Sequence, residues 1–279
     1  MVKNGQAGSI RNLRYQPEHS GAAGVEVLSF AELRGMPAGA VVPQLQRADF
    51  HVLGIVTAGR GAVAVDFDRH PIGAGVAVWI RPGWLHRWDD IADCQGVIVL
   101  FRPELAPQDV PVAGPLGPVR WVLGNDAGLV RAAAEHLRRE FGAPPGPVSG
   151  PILRNLLEVL LLRIGESAPE IPTVDGVFAD FAVEVEKFHR QTRELAWYAE
   201  RLGYAPRTVT RATQRAVGTG AKQYIDDRVV LEAKRLLAHA GITVAECARR
   251  VGFDDAANFA KFFTARAGCT PGAFAAGFR

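Results

Sequence analysis

The sequence has few cysteines and no long apolar run. Its three cysteines, Cys94, Cys247 and Cys269, are far apart and show no Cys-x-x-Cys spacing, which argues against a disulfide framework and against a cysteine-rich zinc site. No apolar stretch approaches the roughly 18 residues of a membrane-spanning helix, and the first residues lack the apolar segment of a secretory signal. We therefore expect a soluble, cytoplasmic protein that does not bind membranes.

The sequence also lacks the common short motifs of enzymes. It contains no Gly-x-Ser-x-Gly, P-loop, dinucleotide-binding fingerprint or His-Glu-x-x-His. Because these motifs carry the nucleophile, phosphate loop or metal ligands of the usual enzyme classes, their absence argues against those classes.

Net charge is only +3, but its distribution along the chain is uneven. Residues 190–279 carry 15 Lys and Arg against 8 Asp and Glu, whereas the rest of the chain carries 17 against 21. A basic end on an otherwise acidic protein favours a polyanionic partner, although an ordinary solvated surface would have the same composition.

The N-terminal part of the chain reads as β-structure. At 279 residues, two domains are expected. Between residues 25 and 102, short runs rich in β-branched and aromatic residues alternate with Gly-, Pro- and Asp-rich turns. This pattern predicts a small antiparallel barrel or sandwich. The runs are VEVLSF, FHVLGIVTAG, GAVAVDF, GVAVWI and QGVIVLF.

Two helices are predicted after the strands, and the second has a leucine-rich face. They are AGLVRAAAEHLRREF and ILRNLLEVLLLRIG. The apolar spacing of the second helix suits packing against its own barrel or against a second copy in a homodimer. ESAPEIPTVDG follows as the linker candidate, which we bound at 166–174 between domains 1–165 and 175–279. The predicted dimerisation residues are Leu153, Leu157, Leu160, Leu161 and Ile164.

The segment TRELAWYAERLGYAPRTVTRATQRA has the layout of a helix-turn-helix. Ala199 is small enough for a second helix to approach closely, and Gly203 can adopt the positive φ of a sharp turn. Pro206 suits the first position of the second helix, where no N–H is needed. That helix would enter the major groove, where Arg pairs bidentately with guanine. The predicted DNA-contacting residues are Arg207, Thr208, Thr210, Arg211 and Arg215.

A second segment, GITVAECARRVGFDDAANFAKFFTARAG, repeats this layout. Thr243 and Glu246 are spaced as a capping box, and Gly252 repeats the turn. Asp254 or Asp255 can cap the next helix. Phe259, Phe262 and Phe263 are predicted to supply its buried side, and its outward residues are Ala257, Asn258 and Lys261.

AKQYIDDRVVLEAKRLLAHA lies between the two copies and consists of about 20 good helix formers that would span about 30 Å. Such a helix would hold the two recognition helices near the roughly 34 Å separation of successive major grooves. Two copies joined by one rigid helix are much harder to obtain by chance than one.

Four segments of the C-terminal part resemble the DNA-binding domain of AraC/XylS transcription regulators over residues 175–279. They are YAERLGYAPRTVTR, YIDDRVVLEAKRLLAH, CARRVGFDDAANFAKFF and GCTPGAF. The resemblance implies base contacts mainly from Arg207, Thr210 and Arg211 in the first unit and from Ala257, Asn258 and Lys261 in the second.

Some positions depart from the family's pattern. Thr213 stands where the family usually has a buried aromatic, and Val229 where it often has Arg. Ala256 and Ala257 stand where polar residues are common. We therefore expect the second unit to contact DNA mainly through the backbone and thymine methyl groups.

The resemblance also implies a cupin-like N-terminal barrel that senses a small molecule and dimerises. GVAVWIRPGWLHRW is similar to the second cupin motif, with Gly75, Gly83 and His86 at suitable spacing. Asp49 and His51 only approximate the first motif. Since a catalytic cupin needs several His and a carboxylate, we expect no metal and no other cofactor.

Aromatic and polar residues of this region either line an effector pocket or form the core and rim of a small barrel. The candidate effector-binding residues are His51, Trp79, Arg81, Trp84, His86 and Trp88.

The predicted fold is thus α+β and multidomain, with a cupin-like antiparallel barrel followed by an all-α domain of two helix-turn-helix units. The predicted function is a sequence-specific transcription regulator that binds double-stranded DNA as a homodimer under control of a small-molecule effector. RNA polymerase is a further candidate partner. The alternatives are a cupin-type metal-dependent enzyme with a helical appendix and a nonspecific architectural DNA-binding protein, which would show a steep dependence on salt.

Overall fold

The chain folds into two compact units, with the boundary between residues 171 and 172. We call them the N-terminal unit and the C-terminal unit. The computed structural model describes residues 11–15, 23–36, 45–107, 110–114, 116–169, 176–239 and 241–278. None of the helices formed by these residues is both long enough and apolar enough to cross a membrane.

Two five-stranded sheets form the N-terminal unit. In chain order the strands are β1 (Arg11–Leu13), β2 (Val25–Ser29), β3 (Gln46–Ala48), β4 (His51–Ala58), β5 (Arg60–Val65), β6 (Asp68–Gly73), β7 (Val76–Ile80), β8 (Leu85–Asp89), β9 (Gln95–Phe101) and β10 (Arg120–Val122). The first sheet has the order β1-β3-β8-β5-β6, and the second has the order β10-β7-β4-β9-β2.

The predicted strands are confirmed as β2, β4, β5, β7 and β9. The pairing is antiparallel, as predicted, except that β1 and β3 are parallel. The strand β6 was not predicted because it contains charged residues and Pro71. It lies at an edge of the first sheet, where a missing backbone donor is tolerated.

The two sheets share an apolar core that contains alternate residues of their strands. Trp88 of β8 lies in this core and meets Phe30 edge to face, with ring centroids 5.5 Å apart. Phe30 begins a short helix, α1 (Phe30–Gly35), which a capping box between Ser29 and Glu32 closes at its N-terminus. The indole of Trp88 also needs Gly54, because a Cβ there would lie 3.0 Å from its Cη2 atom.

A second core covers the other face of the β4–β7–β9 sheet. Two helices pack on this face, α2 (Ala127–Phe141) and α3 (Ser149–Ser167). Both match the predicted helices. Because side chains alternate along a strand, Leu53 and Ile55 of β4 face these helices, whereas Val52 and Val56 face the first sheet.

The leucine-rich face of α3 lies in this second core. Its five predicted dimerisation residues are each 2% exposed or less, since they pack against their own sheet and α2. The sequence left two alternatives for this face, packing against the chain's own β-domain or against a second copy. The structure has the first of them. These residues are Leu153, Leu157, Leu160, Leu161 and Ile164.

The C-terminal unit is helical in its described residues. Its helices are α4 (Gly176–Phe188), α5 (Leu195–Arg201), α6 (Pro206–Val217), α7 (Ala221–Leu237), α8 (Val244–Arg250), α9 (Ala256–Ala267) and α10 (Pro271–Ala276). The predicted linker 166–174 overlaps the end of α3 at Glu166 and Ser167, and its residues 170–174 lie outside the described residues. The boundaries at 165 and 175 remain predictions.

We expect Leu160→Ala to lower the free energy of unfolding of the N-terminal unit by about 2 to 5 kcal/mol, because Leu160 is fully buried and its loss leaves a cavity. Urea unfolding followed by tryptophan fluorescence measures this, since Trp79, Trp84, Trp88 and Trp121 all lie in this unit. Leu129→Ala is the matched control, because Leu129 of α2 is 51% exposed and its truncation should change stability by less than about 0.5 kcal/mol. Equal effects would contradict the packing of α3.

Candidate nucleic-acid interface

Helices α5 and α6 form the first helix-turn-helix, as predicted. Gly203 has φ +72° in the turn between them, a value that glycine adopts without strain. Ala199 is fully buried where the two helices meet, and Pro206 is at the start of α6. The local signals in the sequence therefore set this geometry.

The outward face of α6 carries the predicted DNA-contacting residues. The Thr210 hydroxyl already makes a hydrogen bond within α6, since Oγ1 donates to the carbonyl of Pro206 at 2.9 Å. Thr213 is fully buried, and its hydroxyl donates to the Val209 carbonyl at 2.8 Å, which satisfies its polar group where a core aromatic was expected. The exposed members of the set are Arg207, Thr208, Arg211 and Arg215.

Helices α8 and α9 form the second helix-turn-helix around Gly252, which has φ +81°. Asp255, one of the two predicted caps, accepts hydrogen bonds from the backbone N–H groups of Ala257 and Asn258 at 3.2 and 3.0 Å. Thr243 accepts from the Glu246 N–H at 3.1 Å, but the Glu246 carboxylate binds Arg250. The expected capping box is thus observed in its Thr243 half.

The outward face of α9 presents Ala257, Asn258 and Lys261, all of them exposed. On the opposite side Phe259 and Phe263 are fully buried. Phe262 is half-buried, which differs from the expectation that all three phenylalanines belong to the buried side. Phe262 packs beside Phe253 of the turn, with ring centroids 5.0 Å apart.

Helix α7 joins the two helix-turn-helix units. It has 17 residues, which corresponds to about 25 Å, and so is shorter than the predicted span of 221–240. Ala240 lies outside the described residues.

A buried carboxylate on α7 organises the centre of the C-terminal unit. Glu232 is fully buried, and its carboxylate lies 2.5 Å from Arg190, 3.4 Å from Arg228 and 3.8 Å from Arg235. Arg228 also binds Glu186 of α4 at 2.7 Å. Burial alone would lower the pKa of Arg228, but the neighbouring Glu186 and Glu232 carboxylates raise it. The guanidinium therefore stays charged.

A second buried carboxylate ties α7 to the second recognition helix. Asp226 is 2% exposed and lies 2.5 Å from Arg266 of α9 and 2.6 Å from Lys222. Sequence reasoning missed both carboxylates. The i, i+4 spacings Lys222–Asp226 and Arg228–Glu232 were available as a signal, but such pairs usually lie on a solvated helix face.

In the N-terminal unit, the six predicted effector-binding residues occupy three separate places. His51 and Trp79 belong to the core beneath α2 and α3, where the Trp79 indole N–H donates to His51 Nδ1 at 3.0 Å. His51 also stacks on Phe101, with centroids 4.8 Å apart. Burial, with a smaller effect of Arg81, lowers the pKa of His51 to about 3, so this imidazole is neutral at physiological pH.

His86 and Trp88 belong to the other core, between the sheets. They lie on the same face of β8, two residues apart. His86 is 1% exposed, and its Nδ1 has no hydrogen-bond partner among the residues that the structure describes. Burial lowers its pKa to about 4. Since His51 and His86 belong to different sheets and different cores, they are not brought together as metal ligands.

Arg81 and Trp84 lie in the turn between β7 and β8. The Arg81 guanidinium donates to the carbonyls of Val112 and Gly114 at 2.6 and 2.7 Å and stacks at 4.8 Å from the Trp84 ring. Arg81 thus fastens the segment after β9 to the sheet.

An open cleft of about 640 Å³ lies between α2 and the ends of β4 and β9. Its floor is apolar, with Ile55 and Val97, and its rim carries Arg131, Arg138 and Arg139. Glu135 pairs with Arg138 at 2.8 Å. Sequence reasoning missed the cleft because its lining comes from four separate parts of the chain.

We expect Asp255→Ala to destabilise the first turn of α9 by about 1 kcal/mol, because two backbone N–H groups lose their acceptor. Hydrogen exchange of the α9 amides measures this as faster exchange. Asp254→Ala is the control, because Asp254 is exposed and adjacent to Asp255 in the sequence, but its carboxylate does not cap the helix. If both variants accelerated exchange equally, the cap would be assigned to the wrong residue.

Comparisons with known proteins agree with this architecture. A family model described as an AraC-like ligand binding domain matches residues 33–111, and a model described as a helix-turn-helix domain matches residues 198–277. The search of curated proteins found no match.

Some solved structures are similar to the C-terminal part of the chain, and others are similar to most of it. The C-terminal domain of the response regulator yesN from Fusobacterium nucleatum is 21% identical, with 34% of this chain and 93% of that chain covered and a TM-score of 0.33. The C-terminal domain of AraT, a response regulator from Geobacillus stearothermophilus, is also 21% identical, with coverages of 37% and 86% and a TM-score of 0.35. ToxT from Vibrio cholerae is 9% identical, with coverages of 90% and 97% and a TM-score of 0.45.

The two family models match the two structural units in the expected order. The match over 33–111 falls in the N-terminal unit, and the match over 198–277 runs from within α5 to the end of α10 and includes the turn of each helix-turn-helix. The chain belongs to the AraC/XylS family of DNA-binding transcription regulators, with a ligand-binding domain followed by a double helix-turn-helix domain.

Proposed function

We propose that this regulator reads a double-stranded operator with α6 and α9 and that a small molecule bound to the N-terminal unit controls the binding. The observation that carries the proposal is the pair of recognition helices, each with an exposed outward face, built on the same helix α7. Because two such faces can enter successive major grooves, the arrangement suits specific DNA better than a single polyanion contact does.

The two recognition helices differ in chemistry. Helix α6 offers the exposed guanidinium groups of Arg207 and Arg211, which can donate two hydrogen bonds to one guanine. Helix α9 offers Asn258, which suits adenine, and Lys261, which suits guanine or phosphate. Ala257 suits a thymine methyl group. We assign the stronger base reading to α6 and an anchoring role to α9.

Arg211→Ala is expected to weaken specific binding by about 1 to 3 kcal/mol and to relax the base preference at one position. Arg211→Lys is the companion variant, because lysine keeps the charge for phosphate but lacks the planar fork. Affinities for operator and random DNA, measured at one salt concentration, separate the roles. Equal losses on both DNAs, or full specificity with lysine, would contradict the base contact.

We propose that the homodimer forms on the outward face of α3. Apolar residues recur there as Ile152, Val159 and Leu162, which are 37%, 50% and 48% exposed. With Asn155 and Glu166 they follow the alternating three- and four-residue spacing of a coiled-coil seam. Helical geometry puts this stripe opposite the buried leucines. We therefore propose the exposed face of α3 as the dimer contact, in place of the leucine-rich face predicted from the sequence.

Val159→Glu is expected to convert the dimer to a monomer, because a charge at the centre of an apolar seam is costly to bury. Sedimentation equilibrium of the full chain measures the change. Val122→Glu is the control, since Val122 is 64% exposed and lies on β10, outside α3. A dimer that survives Val159→Glu unchanged would exclude this face.

For the effector, we propose contacts at the His86 end of the predicted residue set. The buried Nδ1 of His86 lacks a partner among the described residues, and a ligand donor or acceptor would satisfy it. The half-buried Trp84 lies nearby in sequence and supplies an aromatic wall. The cleft rimmed by Arg131 and Arg139 is the alternative location, and it would favour an acidic effector.

We infer that the regulator acts in the cytoplasm on the nucleoid, where its DNA partner is found, and that RNA polymerase is a further partner. The basic excess of residues 190–279 supports the DNA contact.

A further inference from the structure

The segment between α4 and α5 touches the second helix-turn-helix directly. Arg193, two residues before α5, donates from Nη1 to the carbonyl of Gly252 at 3.0 Å. Its guanidinium also lies 3.6 Å from the ring centroid of Phe253. A residue at the entrance of the first helix-turn-helix therefore holds the turn of the second.

The turn of the second unit fits closely against this segment. A Cβ on Gly252 would lie 2.6 Å from the carbonyl oxygen of Arg190, and the φ of Gly252 is +81°. Both facts require glycine at this position. Arg190 is itself fixed to α7 by its 2.5 Å ion pair with Glu232.

The contact continues into the second recognition helix. Arg193 lies 5.8 Å from the ring of Phe262 on α9, and Arg266 lies 5.2 Å from the same ring. Arg266 in turn pairs with Asp226 of α7. Phe262 is thus held between one cation from the first helix-turn-helix side and one cation tied to the connecting helix.

These contacts supply a second connection between the two DNA-reading units. If α7 were their only connection, the two units would pack along a single line on this helix. Either unit could then rotate about that line. A bridge that runs outside α7 opposes that rotation, because two separated attachments fix both distance and angle. The bridge depends on Arg193, since this one side chain makes the hydrogen bond and the cation–π contacts.

We propose that Arg193, although it faces no base, sets the distance along DNA between two half-contacts. One half-contact is the group of base pairs read by α6, and the other is the group read by α9. The inference rests on the proposed reading of DNA by α6 and α9. Arg193 is a positioning residue for specificity. We expect its loss to widen the range of spacings that the protein binds and to leave the base preference unchanged.

The test compares duplexes that carry the same two half-contacts at the bound spacing and with one base pair inserted between them. The full-length wild-type chain should bind the inserted duplex about tenfold more weakly, because only one recognition helix can then be in register. Arg193→Met keeps an apolar stem but removes the hydrogen bond and the charge. For this variant the ratio between the two affinities should fall to about threefold or less.

Arg249→Met is the matched control, since Arg249 is an exposed arginine of α8 and has no ion pair among the described residues. It should keep the wild-type ratio whatever its absolute affinity. Arg193→Lys, which retains the charge over Phe253, should restore part of the discrimination. Circular dichroism verifies that each variant is folded.

A uniform loss of affinity by Arg193→Met, with the tenfold ratio unchanged, would show that Arg193 is only structural and would overturn the inference while leaving the proposed function intact. A wild-type chain indifferent to spacing would overturn both, because two recognition helices in fixed register require a preferred spacing.

Discussion

Helix α7 and its buried carboxylates hold the DNA-binding unit together. Glu232 is removed from water entirely, and three arginines surround it, two from α7 and Arg190 from the segment after α4. Loss of one partner from such a cluster leaves an uncompensated buried charge, which typically costs about 3 to 5 kcal/mol. The cluster therefore tolerates few arrangements of these helices. Asp226 extends the same constraint to α9 through Arg266.

This rigidity explains how the exposed faces of α6 and α9 can act together. Each recognition helix contributes only a few side chains that could reach bases, and α9 has short ones at two of its outward positions. A fixed relation between the helices adds specificity without adding contacts, because a sequence must present both half-contacts at one spacing. In the proposed reading of DNA, this positioning would compensate for the few base contacts of the second unit.

Local signals in the sequence predicted the helix-turn-helix units well. Gly203 and Gly252 mark turns with positive φ, and Asp255 caps a helix, all of which depend on near neighbours. The long-range contacts could not be predicted in this way. Which face of β4 is covered by helices decides that His51 lies away from His86, and no local pattern reports it. The direction of the leucine face of α3 was undecided for the same reason. The spacing of Glu232 in the sequence is that of a charge on a solvated helix face, and only the packing of the helices around it shows that it is buried.

Paired reading of DNA by α6 and α9 is tested most directly by selecting bound sequences from a random DNA pool with the full-length chain. We expect a reproducible motif with two half-contacts about one helical turn apart, roughly 10 base pairs, in which the half read by α6 is the more strictly defined. Binding without any enriched motif, or enrichment of a single half-contact with no fixed companion, would contradict the reading of DNA by two helices held in one register.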